Sequence, residues 1–310
     1  MNLKTLISGS KADLAKVLAL IEQAHNRGLD DPDLTNLLDQ AFATPRGYII
    51  GITGPPGVGK STLISVLVKI WRNQGQTVGV IAVDPSSKRS GGALLGDRTR
   101  IVANPEDQGV FIRSMAAREQ LGGLSSLTHA AAILMRALFD RVIVETVGVG
   151  QSETGISSLA DTIVFCVQPG SGDSLQFMKA GIVEIPHIAV VTKADLGPPA
   201  ERARADLEGA LGLTSDQRGV QVLSVSATSE SGLNDLVTAI DDHGRELHLQ
   251  GVLGERRIIQ ASDWIAEEIR ARFGREGLKR IEPHLRVKQA SRPFSRAAEL
   301  AVQLQKHNKR

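Results

Sequence analysis

Cysteine is nearly absent from this 310-residue chain, with Cys166 the only one. No internal disulfide can form. Its setting, Thr162-Ile163-Val164-Phe165-Cys166-Val167, reads as a small side chain in an apolar core. A reducing cytoplasm is the expected location. Aromatic residues are 3% of the sequence, too few for base-stacking platforms. Net charge is +2 with acids and bases interspersed, and no basic block marks a nucleic-acid contact. The short Lys306-His307-Asn308-Lys309-Arg310 stretch reads as a solvated end. No apolar run approaches the ~18 residues of a membrane span, and Met1-Asn2-Leu3-Lys4 lacks the charged-then-apolar layout of a secretory signal. The 7 histidines show no ligand spacing, so a dedicated transition-metal site is not expected.

What is present is an ordinary globular composition, 42% hydrophobic and 23% charged. The length suits one large α/β domain with extensions, or two domains. Residues 1–46 read as helical. Leu14, Val17, Leu18 and Ile21 recur at helical spacing, as do Leu34, Leu37, Leu38, Ala41 and Phe42 after Asp30-Asp31-Pro32. From 47 to 244 the pattern changes. Short β-branched runs at 48–53, 77–83, 110–114, 141–145, 162–168, 187–192 and 220–225 alternate with helical stretches. Most runs are apolar throughout, as strands buried on both faces of a parallel sheet must be. The expected fold is α/β, a doubly wound and mostly parallel sheet with helical N- and C-terminal extensions. Beyond His243-Gly244 the chain is expected to turn helical again over 245–310. Ile258, Ala261, Ile265, Ile269 and Phe273 form an apolar stripe there, fit to pack on the sheet domain or on a second subunit, and a further helix is expected from Pro293 to Lys306.

The strongest motif directly follows the first apolar run, Tyr48-Ile49-Ile50-Gly51-Ile52-Thr53. Gly54-Pro55-Pro56-Gly57-Val58-Gly59-Lys60-Ser61-Thr62 fits the phosphate-binding pattern G-x-x-x-x-G-K-[ST] in its strand-then-helix context. Glycines let backbone N–H groups turn inward around phosphate oxygens. Lys60 is expected to reach the β and γ phosphates and the Ser61 hydroxyl to ligate Mg²⁺. The following helix adds its N-terminal dipole. A bare glycine-rich turn would need neither the lysine nor the hydroxyl.

The base is addressed by Thr192-Lys193-Ala194-Asp195, after the run Ile188-Ala189-Val190-Val191. A carboxylate at Asp195 accepts from the N1–H and exocyclic amine of guanine, a charge-assisted bidentate pair. Adenine presents a lone pair at N1 to the same group. Thr192 stands where GTPases usually carry Asn. A hydroxyl in place of an amide is expected to lose part of the bridge to the phosphate loop, costing about 1 kcal/mol of nucleotide affinity. Ser226-Ala227-Thr228, after the last apolar run, matches the Ser-Ala loop that backs guanine.

Asp84 and Glu145 end apolar runs beside the phosphate loop, where a carboxylate would hold Mg²⁺ or its waters. Asp97, in Gly92-Ala93-Leu94-Leu95-Gly96-Asp97-Arg98, is either a third such group or a helix N-cap. Glycine-rich stretches after them suit loops that sense the γ phosphate. Gln151 does not directly follow the glycine of the Glu145 motif, so no residue is marked as orienting the attacking water. Slow intrinsic hydrolysis, accelerated by a partner, is expected.

Together these blocks resemble the MeaB/ArgK-type GTPases, the methylmalonyl-CoA-mutase-associated group that includes the human cobalamin A disorder protein. The resemblance is close over roughly 34–200 and looser at the ends. It is carried by Gly51 to Leu63, Val83-Asp84-Pro85-Ser86-Ser87, Ser90 to Arg98 and Phe111-Ile112-Arg113-Ser114-Met115-Ala116. Most diagnostic is Glu145-Thr146-Val147-Gly148-Val149-Gly150-Gln151-Ser152-Glu153. Gly172 to Ile182, with Asp173 and Lys179, resembles the family's additional switch segment. The resemblance implies a GTP- and Mg²⁺-dependent chaperone that gates cofactor loading and protects an adenosylcobalamin-dependent acyl-CoA mutase. It further implies a homodimer, with helical arms around the nucleotide domain. Carried over by position, Lys60, Asp97 and Glu145 serve catalysis, Ser61, Asp84, Asp97 and Glu145 serve the metal, and Lys193, Asp195, Ser226, Ala227 and Thr228 bind the base. Gln151, Asp173 and Lys179 then belong to the switches. Thr192, Ala117-Arg118-Glu119-Gln120 and Glu153-Thr154-Gly155-Ile156 depart from the family pattern, as a different mutase partner would allow.

Three other readings compete. A kinase using the same loop would transfer phosphate to a defined acceptor, and Asp195 with Ser226-Ala227 argues against it by selecting GTP. A nickel-insertion GTPase should carry a His- or Cys-rich store. A signal-recognition GTPase would show Asp-Thr-x-Gly-Arg where this chain has Glu145-Thr146-Val147-Gly148-Val149.

Overall fold

The seven apolar runs become seven strands: β1 (Tyr48–Thr53), β2 (Val78–Asp84), β3 (Val110–Ala116), β4 (Arg141–Glu145), β5 (Thr162–Val167), β6 (Ile188–Val191) and β7 (Gln221–Ser224). A computed structural model describes residues 2–24, 31–84, 101–116, 124–146, 155–170, 186–212, 220–281 and 292–307. The strands form one sheet in the order β3-β2-β4-β1-β5-β6-β7, and every pairing is parallel. Central β1 is buried at all six positions. Its side chains alternate between two cores, as the two-residue period of a strand requires. Ile49 enters one core with Val142, Val144 and Ile163. Ile50 and Ile52 enter the other with Val80, Ile143, Val164 and Cys166.

Helices cover both faces. On one side lie α4 (Lys60–Asn73) and α7 (Leu233–Leu249); α6 (Pro198–Gly212) packs on the opposite face of β5, β6 and β7, where Phe165, Val167, Ala189 and Val191 alternate with the residues of that first core. α4 buries Leu63, Ile64, Leu67, Val68 and Trp71, each contributing about 1.5–3 kcal/mol of apolar burial. On the other side lie α1 (Leu3–Ile7), α2 (Lys11–Gln23), α3 (Pro32–Ala43), α5 (Ser126–Leu138), α8 (Leu253–Ile281) and α9 (Pro293–His307). The start of α3 was legible. Pro32 sits in its first turn, and the Asp31 carboxylate accepts from the amides of Asp33 and Leu34 at 2.9 and 3.1 Å. α8 breaks its helical geometry at Gly274.

Two expectations about the C-terminal part need correction or resolution. Helix α7 already runs through His243 and Gly244 to Leu249, so position 244 falls inside a helix and not ahead of one. The glycine serves close packing instead, since a Cβ there would meet the Tyr48 ring at 3.2 Å. The α8 stripe packs within this chain. Ala261 is buried, and Ile265 and Ile269 enter the same core as α2, α3, α5 and α9.

Polar ties fasten α8 to the amino ends of the strands. Asp161 is fully buried and takes a bidentate pair from Arg257, with both contacts at 2.8 Å. Asp161 also accepts from the amide of Ile49 at 2.8 Å. Nearby, Tyr48, Thr162 and His243 share hydrogen bonds, and His187 accepts from the amide of Ile163 at 2.9 Å. The amides of Phe294 and Ser295, in the first turn of α9, donate to the buried Asp39 of α3.

His129 of α5 is buried and stacks on Trp264 of α8, with ring centroids 5.0 Å apart. Burial, with a smaller contribution from nearby Arg136, pushes its pKa down to about 3 from 6.5. His129 therefore favours the fold fully above pH 6.5, and that contribution is lost as pH falls towards 3. The expected slope is about 1.4 kcal/mol per pH unit in that window. Urea unfolding of wild type and His129→Phe, which keeps the stack, checks this. Wild type should lose stability relative to the variant from about pH 6.5 to about pH 5, and parallel pH profiles would refute it.

Candidate functional site

All seven parallel strands point their carboxyl ends to one edge, where ligands of such sheets bind. β1 delivers the glycine-rich loop to that edge. Gly54 has φ of 139°, and a Cβ there would lie 2.2 Å from the Cys166 carbonyl oxygen. Only glycine lets the loop leave β1 so close to β5. Gly59, with φ of 99°, is the N-cap of α4. Helices α2, α3 and α5 are capped by the side chains of Ser10, Asp31 and Ser125, whereas α4 has no side-chain cap. Its first-turn amides and dipole are therefore directed at whatever lies in the loop.

Lys60 is buried, and its ammonium donates to the Gly54 and Pro55 carbonyls at 2.7 and 3.0 Å. The Ser61 hydroxyl donates to Glu145 Oε1 at 2.9 Å, across the gap between α4 and the end of β4. Glu145 is itself buried. Next to it, Thr146 is pinned to β1. Its amide donates to Ile52 at 3.1 Å and its hydroxyl to Thr53 Oγ1 at 2.8 Å. A hydroxyl and a carboxylate in contact form the hard oxygen pair that suits Mg²⁺, an ion that uses few protein ligands beside phosphate and water. Cys166 plays no chemical part, for burial pushes its thiol up to about 12.

The second group comes from β5, β6 and β7. Thr192 is buried, and its hydroxyl lies 2.7 Å from the Val58 carbonyl and 2.9 Å from that of Val167. The bridge to the phosphate loop, expected to weaken with Thr in place of Asn, is thus made. Val58 turns a carbonyl towards the threonine, and a hydroxyl is long enough to reach it. Lys193 adopts a left-handed φ of 55°, which is costly for a side-chain-bearing residue and points to a functional constraint. In that conformation its ammonium reaches the Gly57 carbonyl at 3.1 Å and Gln168 Oε1 at 2.5 Å. Gln168, just after β5, was not among the sequence candidates. Its signal was only its position at a strand end. Asp195 accepts from the Ser226 hydroxyl at 2.5 Å, and that oxygen accepts from the Ser229 amide at 3.1 Å. Ala227 and Thr228 lie between them in the same turn.

The structure therefore gathers Gly54, Pro55, Pro56, Gly57, Val58, Gly59, Lys60, Ser61, Thr62, Glu145, Lys193, Asp195 and Ser226 along one edge. Asp84 ends β2 in register with Ala116, but its side chain lies outside the described residues. Asp97, Gln151, Asp173 and Lys179 also lie outside them.

Comparisons with known proteins bear on the family and the fold. The family model described as methylmalonyl Co-A mutase-associated GTPase MeaB matches residues 14–278. A relative from Pyrococcus abyssi is 42% identical over 256 residues, covering 80% of this chain and 77% of its own. The mitochondrial methylmalonic aciduria type A homolog of Mus musculus is 34% identical, covering 84% of this chain and 66% of its own. Among solved structures, an LAO/AO transport system kinase superposes with a TM-score of 0.66 at 27% identity, over 97% of this chain and 96% of that one. HypB from Helicobacter pylori, solved with nickel, shares the fold at a TM-score of 0.51 and 16% identity, over 68% of this chain and 94% of its own.

The Thr192 bridge generates a direct test. Thr192→Ala leaves the Val58 and Val167 carbonyls without that donor, and GDP affinity should fall about tenfold. Thr192→Ser keeps the hydroxyl and should stay within about threefold of wild type. Calorimetric titration with GDP reads both, and an alanine variant that binds like wild type would sink the idea.

Proposed function

The chain belongs to the methylmalonyl Co-A mutase-associated GTPase family, and we propose that it is a nucleotide-dependent chaperone of an adenosylcobalamin-dependent acyl-CoA mutase. It is a GTPase, as its relatives are named. The observation that carries the proposed site is the double bridge between the phosphate loop and the base loop. Thr192 reaches Val58 and Lys193 reaches Gly57. One nucleotide laid along this edge would meet both loops at once.

In the proposed site, the Lys60 ammonium exchanges its two carbonyl partners for β- and γ-phosphate oxygens. The α4 amides take the remaining negative charge. Asp195, held in place by Ser226, accepts the N1–H and amine of guanine. Ser61 and Glu145, with Asp84 and Asp97, would hold Mg²⁺, which supplies neutralisation of phosphate charge when bound. Water attacks the γ-phosphorus, the bond to the β–γ bridging oxygen breaks, and GDP leaves with that electron pair. With no side chain assigned to orient the water, turnover is slow alone and a partner accelerates it. Gln151, Asp173 and Lys179 are the proposed switch positions facing that partner. A homodimer in the cytoplasm is part of the same reading. No helix among the described residues is long and apolar enough to cross a membrane.

The test is affinity capture from native lysate with the protein held in GDP or in a non-hydrolysable GTP analogue. A cobalamin-dependent mutase should be recovered, with a yield that depends on the nucleotide. Recovery of no mutase in either state would overturn the chaperone reading. Phosphate release measured in parallel separates a GTPase from a kinase, which would instead label an acceptor. Lys60→Ala should reduce release by at least about a hundredfold, since it removes charge stabilisation at the transferred group.

A further inference from the structure

The exit of β5 is a third party to the contact between the phosphate loop and the base loop. Two successive residues of the base loop each bridge both neighbours. The Thr192 hydroxyl lies 2.7 Å from the Val58 carbonyl and 2.9 Å from that of Val167. The Lys193 ammonium donates to the Gly57 carbonyl at 3.1 Å and to Gln168 Oε1 at 2.5 Å. Residues 57 and 58 of one loop and 167 and 168 of the other are thus joined through 192 and 193. Val58, Val167 and Gly57 accept through the main chain, which any sequence supplies. Gln168 accepts through its side chain, which this sequence supplies. An ammonium only donates, so the amide oxygen must face it.

An exposed lysine ordinarily ranges over many rotamers, and a hydrogen bond at its tip does little to hold it. Lys193 differs in its backbone. Its φ of 55° is costly for a residue with a side chain and persists only where the surroundings over-determine it. Here the Thr192 amide donates to Val167 at 2.8 Å and the Ala194 amide to Val225 at 3.0 Å, so the residue is fixed on both sides. The left-handed turn then leaves the ammonium against Gly57 and Gln168. Two residues further on, Asp195 is held by Ser226. Lys193 therefore spans from the phosphate loop to the loop that carries the Asp195 carboxylate. The neutrality of Gln168 matters as well. A glutamate would hold the ammonium more tightly but would set a negative charge beside an anionic nucleotide. The amide holds the lysine and leaves its charge to the ligand.

We propose that Gln168 is a positioning residue for guanine nucleotide binding. It acts through Lys193, whose stem it keeps along the nucleoside half of the site. The inference rests on the reading of Lys193 and Asp195 as that half.

The test uses the full chain. Gln168→Met removes the acceptor at similar length. The Kd for GDP and the KM for GTP should each rise about fivefold, while kcat stays within about twofold. Inhibition by pyrophosphate, which engages the phosphate loop without a nucleoside, should stay within about twofold of wild type. In a Lys193→Met background, adding Gln168→Met should leave GDP affinity unchanged, because the residue through which Gln168 acts has lost its ammonium. The proposal is overturned if Gln168→Met binds GDP like wild type, if its effect persists undiminished in the Lys193→Met background, or if pyrophosphate weakens as much as GDP. Should Gln168→Met fail to fold, Gln168→Asn decides. It keeps the amide but is one methylene short of Lys193, and a GDP affinity equal to wild type there also overturns the proposal. Asp195→Asn tests the underlying site independently. An amide in place of the carboxylate donates to the second carbonyl of xanthine, so this variant should prefer XDP to GDP. If it still prefers GDP, the nucleoside-site reading falls, whatever Gln168 does.

Discussion

The functional edge depends on β1 being buried from Tyr48 to Thr53, with β4 on one side and β5 on the other. A strand held on both faces and both edges cannot shift register without moving two cores. Its last residue therefore presents Gly54 at a fixed point, where the Cys166 carbonyl leaves no room for a side chain. From that point the loop reaches α4, and two neighbours grip it from the base side through Thr192 and Lys193. Phosphate loop and base loop thus form one rigid unit, although 130 or so residues separate them in sequence.

The two edges of the sheet treat their polar groups differently. At the amino edge, buried groups are matched internally: Asp161 with Arg257 and the Ile49 amide, Tyr48 with Thr162, His187 with the Ile163 amide. Burial lowers the pKa values of His187 and His243, with nearby Arg256 adding to the effect, so both stay neutral in this network. At the carboxyl edge, α4 begins without a side-chain cap and Lys60 rests on loop carbonyls. The first arrangement holds the fold together. The second is the arrangement the proposed site uses, in which Lys60 would exchange its loop carbonyls for phosphate oxygens.

Much of this was legible in the sequence. Runs that are mostly apolar throughout matched all seven strands within a residue or two at their ends, because in the central strands burial on both faces leaves no alternating pattern to misread. The phosphate loop and the Asp195 turn were legible because their chemistry demands particular residues at fixed spacing. Gly244 was read only as the last residue of the sheet domain, and its packing against Tyr48 is a tertiary contact that no local pattern records. Gln168, Gln260 and Glu268 were invisible for a related reason. Their partners are the Lys193 ammonium, main-chain carbonyls and a serine hydroxyl, all distant in sequence, and no local pattern records such contacts.

The same contacts change how the C-terminal helices relate to the nucleotide domain. Composition suggests a boundary near residue 244, yet that point falls inside α7. α8 then returns to supply Arg257 to an Asp161 that has no exposure to solvent. Losing one partner of such a pair costs about 3–5 kcal/mol, a large share of the roughly 5–15 kcal/mol that stabilises a typical domain. A helix held that firmly is part of the nucleotide domain's own core.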